Sequence, residues 1–299
     1  MLSFAAGSEE MHGAGKRLIA QAKDSGLFAK SLLITEDSLF KFNEDGSKLK
    51  SFIDSNQRGY GLFAWKSYIF NLAMQGAFGK YDGIFYADAG CELLWNKRSL
   101  KYFKELMDLT SVAGILTFST PIPEYVYTKK DALDLLNNPE HIYSPQIEAT
   151  VIFASPHSDC ALELVGRWWD ISSIDNFKYL VDSEDEQEMD EFIDHRHDQS
   201  ILSILLKNYG VISLPESTPR YSKKNISLLH YLVFTPWPIW AIRNRTSVTR
   251  LRRWQNNGVI SLILTPLFQN RLRIFKVYRF VVHVKFAVIH RLRKISRSH

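Results

Sequence analysis

The chain has 299 residues, 45% hydrophobic and 23% charged, with 37 lysines and arginines against 32 aspartates and glutamates. That balance excludes a disordered chain, a collagen-like repeat and a small disulfide-stapled domain, and the length allows one large α/β domain or two of about 150 residues. Two cysteines, Cys91 and Cys160, stand in no metal-ligating spacing, which fits a reducing compartment.

Along the chain, Leu2–Ala6 reads as an apolar strand, Ala14–Lys23 as a helix and Ser31–Thr35 as a second strand. Leu62, Trp65, Ile69, Leu72 and Ala73 recur at helical spacing and predict a helix over Leu62–Phe78. Ile84–Ala87 is a short apolar run of the kind buried on both faces of a sheet. The alternation continues with helix Ser99–Leu109, strands Gly114–Phe118 and Glu148–Ala154, helix Asp159–Trp169, helix Gln199–Asn208 and strand Val211–Leu214. The fold class this predicts is α/β: a Rossmann-type, mostly parallel sheet flanked by helices. No internal repeat is evident.

Charge divides the chain at about residue 216. Residues 217–299 hold 17 of the 37 basic side chains and none of the 32 acids. The expected organisation is a catalytic body over residues 1–216 and a basic, aromatic-rich helical extension over residues 217–299. Pro236 and Pro238 rule out a straight helix over Leu228–Ile242. In Arg271–Arg297, Lys276, Arg279, His283, His290, Lys294 and Arg297 follow one helical side, and Leu272, Phe275, Val282, Phe286 and Ile289 another. Such a helix suits an anionic membrane surface, with docking on the body as the plainer alternative. Nucleic acid is not expected, because no recognition motif accompanies the charge. With no secretory leader pattern and no uninterrupted run of 18 apolar residues, the expected location is cytoplasmic, peripheral at the inner membrane face.

Ligands of open α/β sheets bind beyond the carboxyl ends of the strands, so polar residues at those ends are the first candidates. Asp88 follows the Ile84–Ala87 run and precedes the small residues Ala89 and Gly90. A carboxylate there can hold a divalent cation or sugar hydroxyls, or merely form a turn. In Arg58-Gly59-Tyr60-Gly61-Leu62-Phe63-Ala64-Trp65-Lys66, two cations and loop amides suggest a pyrophosphate cradle, against a solvated loop with Trp65 in the core. His195-Arg196-His197-Asp198-Gln199 stands at a helix entrance, where Asp198 could be a cap or part of a metal and sugar pocket. Gly13-Ala14-Gly15-Lys16 lacks the upstream glycine and following hydroxyl of a phosphate-binding loop, and the acidic run Asp182–Asp194 reads as a solvated loop.

Taken in order, Arg58–Lys66, Asp82–Cys91 and His195–Ser200 resemble the motifs of a bacterial nucleotide-sugar-dependent glycosyltransferase family of the GT-A fold. The resemblance covers roughly residues 2–216. It implies transfer of a sugar, of hexosyl type, from a nucleotide-diphosphate donor, most simply a UDP-sugar, to a glycan or lipid-linked acceptor, as in polysaccharide biosynthesis. It also implies manganese or magnesium as cofactor, with Asp88 as ligand. The fold's Asp-x-Asp motif has its second acid replaced here by Gly90. Donor-binding residues would be Ala6, Gly7, Arg58, Trp65, Lys66, Asp88, Ala89, Gly90 and His197. Asp198 and Gln199 would be catalytic, beside the reacting sugar carbon. Lys129, Asp131, Gln146 and Glu148 would border the acceptor. A retaining reaction is favoured because no dedicated base is evident. The alternatives are a catalytically degenerate membrane-surface interaction protein and a nucleotidyltransferase on a similar sheet.

Overall fold

A computed structural model describes residues 1–182, 188–211, 213–215 and 237–247. The expected amphipathic stretch Arg271–Arg297, and with it the membrane-facing part of the extension, lies outside the described residues.

The elements follow in chain order as β1 (Leu2–Phe4), α1 (Glu9–Asp24), β2 (Leu32–Ile34), α2 (Glu36–Leu39), α3 (Asp45–Ser55), α4 (Gly59–Leu62), α5 (Trp65–Met74) and β3 (Ile84–Ala87). Next come β4 (Glu92–Leu93), α6 (Lys97–Ala113), β5 (Ile115–Leu116), β6 (Phe118–Pro123), α7 (Lys130–Leu133), β7 (Pro145–Ile147) and β8 (Val151–Ala154). The last are α8 (Asp159–Ser173), α9 (Asp198–Asn208), β9 (Leu214–Pro215) and β10 (Ile239–Trp240).

The fold is α/β. The central five-stranded sheet has the order β2-β1-β3-β8-β5, and four strands run one way with β8 against them. Side chains alternate across it, as pleated backbone requires. Ile84, Tyr86, Ile152 and Ala154 enter one core with α5, α8 and α9. Phe85, Ala87, Val151 and Phe153 enter the other with Leu18 of α1 and Phe103 and Leu106 of α6. Helices therefore cover both faces, and burying β3 on both sides is what makes its sequence apolar without a break.

Two smaller sheets flank this one, β7-β6-β9 and β10-β4. The second pairs Ile239 with Leu93 and Trp240 with Glu92, so residues 237–247, beyond the expected boundary at 216, lie against the body. Among the described residues no helix is long and apolar enough to cross a membrane.

Candidate active site

The parallel strands β1 and β3 deliver Ala6, Gly7 and Asp88 to one rim of the sheet, where Ala5, Ala14 and Ala89 pack together. Gly7 (φ +85°) is open to solvent, and its amide donates to Glu36 Oε1 at 3.2 Å. Glu36 Oε2 meets His12 Nε2 at 2.7 Å.

A run of five residues with positive φ, Gly59 to Phe63 (59, 56, 80, 50 and 63°), precedes α5. Left-handed backbone costs roughly 1–2 kcal/mol for each residue with a Cβ, so packing must hold it. It does so tightly: a Cβ on Gly61 would lie 2.4 Å from Ile53 Cγ1, and one on Gly59 would lie 2.5 Å from the Phe63 ring. The turn drives Trp65 and Lys66 inward. The Trp65 ring stacks on Phe4 at 4.0 Å, and its Nε1 donates to Gly59 O at 3.1 Å. The expected phosphate cradle of loop amides is not formed here. The amides of Tyr60, Gly61, Leu62, Phe63 and Ala64 all donate to carbonyls of residues 56–61.

Lys66, 3% exposed, brings the site together. Its ammonium lies 3.1 Å from Asp88 Oδ1, 3.3 Å from Asp198 Oδ2 and 3.1 Å from Ala149 O. Burial would lower its pKa, but the two carboxylates outweigh burial and hold it above the ordinary lysine value. Asp198 shows the converse: burial pushes its carboxyl up to about 6, against the pull of Lys66. Two residues given no role in the sequence reading complete the frame. Tyr86 donates its phenol to Asp88 Oδ1 at 2.6 Å, and Trp168 Nε1 donates to Asp198 O at 3.2 Å. The spacing of Tyr86 two residues before Asp88 was a signal available in the sequence; the Trp168 contact, across 30 residues, was not.

Arg58 does not join this cluster. It is half-exposed and pairs with Asp194 at 2.9 Å and Asp182 at 3.4 Å. Beside it, His197 takes a strained φ of 46° and ψ of −116° at the start of α9. Its Nδ1 donates to Leu180 O at 2.7 Å, leaving Nε2 a buried acceptor with no hydrogen-bond partner among the described residues. Burial lowers the His197 pKa. His195 is a structural staple: Nδ1 accepts from the Lys129 amide at 3.3 Å, Nε2 donates to Tyr179 O at 2.8 Å, and burial lowers its pKa to about 3.

Gln199 Nε2 donates to Gln146 Oε1 at 2.6 Å. Gln146 in turn rests on the buried Glu124, whose carboxylate also takes Thr128, Ser203 and Lys207. Of the residues expected to border the acceptor, Lys129, Asp131, Gln146 and Glu148, three are buried in this arrangement. Gln146 and Glu148 are fully buried, and Lys129 is spent on Lys178 O at 2.7 Å and Asp131 at 3.1 Å. Only Asp131 is exposed. Gln146 supports Gln199 from below.

The donor set does not fit a divalent centre built by the protein. The Lys66 ammonium fills the place between Asp88 and Asp198, Gly90 brings no ligand, and Glu92 is buried and accepts from Asn244 Nδ2. Among the described residues no three His, Cys, Asp or Glu side chains converge. The manganese or magnesium expected at Asp88 therefore has one protein ligand in view, and its charge is already shared with Lys66.

No protein-family model and no curated protein matches the chain. Solved structures similar to it include the apo form of mouse xyloside xylosyltransferase 1, at 13% identity and TM-score 0.40, over 83% of this chain and 98% of that one. A glycosyltransferase involved in glycosylation of the major capsid of PBCV-1 aligns at 10% identity and TM-score 0.39, over 80% and 92%. The apo WbbM bifunctional glycosyltransferase aligns at 11% identity and TM-score 0.43, over 80% of this chain and 45% of that one.

Proposed function

We propose that the chain transfers a sugar from a nucleotide-diphosphate donor, most simply a UDP-sugar, to a glycan or lipid-linked acceptor. One observation carries this reading. Asp88 and Asp198, which come from two separate sequence motifs, close around one buried ammonium at the rim where β1 and β3 end. Half-exposed Asp88 and the backbone of Ala6 and Gly7 offer a ribose and sugar an open approach, with Asp198 and Gln199 beneath.

In this reading Asp198 stabilises positive charge developing at the sugar carbon, and Gln199 orients the ring from its bond to Gln146. Both rim carboxylates are tied to Lys66, and Asp88 also accepts from Tyr86, so neither stands free to take an acceptor proton. That favours retention at the sugar carbon. The test incubates purified protein with a panel of radiolabelled nucleotide sugars, with and without manganese, and follows release of nucleoside diphosphate. Release from one donor well above the others is expected; no release from any donor sinks the assignment.

The basic extension gives the acceptor a location. Its 17 cations without a single acid suit the anionic inner leaflet, where a lipid-linked acceptor would be presented. Truncation at residue 270 should abolish co-flotation with phosphatidylglycerol vesicles, and flotation equal to that of the full chain refutes the anchoring role.

A further inference from the structure

The Lys66 cluster poses an electrostatic problem for the proposed donor. One ammonium between two carboxylates leaves the rim with a net negative charge, and a nucleoside diphosphate brings about two or three more. Arg58, the cation expected to meet it, is taken up by Asp182 and Asp194.

We infer that Arg243 and Arg245, on the segment 237–247, supply the cationic half of a diphosphate site over the Asp88 turn. This rests on the transferase reading and deepens it. The segment is fixed where the second acid of the Asp-x-Asp pattern would project. The Asn244 amide donates to Gly90 O at 2.8 Å, and a Cβ on Gly90 would lie 3.3 Å from Arg243 Cα and 3.6 Å from its carbonyl carbon. Any side chain at position 90 would press on that backbone, so this chain has exchanged the second acid for a close passage of arginine-bearing backbone.

Arg17, buried in α1, locks the two pieces together. One of its nitrogens donates to Ala89 O at 3.0 Å and Cys91 O at 2.8 Å, and another to Asn244 O at 3.0 Å and to Thr246 O. Asn244 Nδ2 reaches Glu92, and Ser247 packs on Gly13. Arg243 sits at φ +51°, an uncommon conformation that this packing enforces beside the rim. Arg243 and Arg245 are exposed and make no ion pair among the described residues. Guanidinium forks match phosphate oxygens two at a time, so the pair can do by hydrogen bonding what a bridging cation does by coordination.

The test titrates UDP, GDP, ADP and inorganic pyrophosphate calorimetrically in EDTA, into the full chain and its Arg243→Gln/Arg245→Gln variant. Because both side chains are exposed, the variant should melt with the parent. The expected result is metal-free binding of one nucleoside diphosphate by the parent and affinity at least tenfold weaker in the variant. Equal affinity in both overturns the arginine site and leaves the transferase reading standing. So does parent binding that appears only when manganese is added. Pyrophosphate binding lost in the variant, with no nucleoside diphosphate preferred over it, supports the anion site and removes the nucleotide-sugar reading. No binding of any probe by the parent overturns both.

Discussion

Lys66→Met is expected to lose about 3–5 kcal/mol of folding stability at pH 7.5, the usual cost of stranding buried charge. Among the described residues the ammonium is the one cation within ion-pair distance of Asp198, which is only 4% exposed. Methionine fills similar volume, so the loss reports charge and not a cavity. Its pH dependence has a definite sign. The folded pKa of Asp198, about 6, already lies above the ordinary 3.8. Such a group contributes stability fully below the unfolded value and loses it as pH rises through the folded one. Without Lys66 that window moves upward, because protonation becomes the remaining way to neutralise the site. The deficit should therefore shrink markedly at pH 5. Adding Asp198→Asn to Lys66→Met should recover much of it even at pH 7.5. Urea titrations followed by tryptophan fluorescence at both pH values decide the matter. A loss below about 1 kcal/mol, or one equal at the two pH values, is incompatible with a buried ion triad.

The same triad shows what the sequence could and could not reveal. Ile84–Ala87 was legible because a strand buried on both faces leaves no polar position, and helices such as Asp159–Ser173 keep an apolar stripe at helical spacing. Lys66, Asp88 and Asp198 were singled out by residue type next to predicted element ends, and the fold brings all three together. Arg58 was singled out in the same way and pairs elsewhere. Nothing in Arg-Gly-Tyr-Gly tells that the glycines initiate left-handed backbone which turns Trp65 and Lys66 inward and spends the amides locally. The glycine-and-cation pattern is common to both outcomes, and only packing against Ile53 and Phe4 separates them. Gln146 is buried although polar type argues for exposure, because a partner network takes in its amide. That network reaches from Glu124 to Lys207. β6 carries Pro121 and Pro123 and so hid as a strand, and β10 pairs with only two residues, too few to show periodicity.

Asp198→Asn carries the largest expected effect on chemistry: turnover of the nucleotide sugar lower by about 100- to 1,000-fold, with KM nearly unchanged. The amide is isosteric, leaves Lys66 paired with Asp88 and keeps the backbone bond to Trp168, so the fold should survive. What disappears is a negative charge held in a water-poor site before the reaction begins, which acts where the sugar carbon becomes positive. Asp88→Asn differs in kind. Asp88 is half-exposed at the donor's approach, so its loss should raise KM as well as lower the rate. A pH profile gives a readout that misfolding cannot imitate. With Asp198 titrating near 6, the rate of the parent should climb through that pH and level off above it as the carboxylate forms. The Asp198→Asn variant should lose that limb, while Asp88→Asn keeps it. If the asparagine variant retains both a rate within threefold of the parent and the limb near pH 6, Asp198 is only a first-turn acid of α9 and the charged centre of the site lies elsewhere.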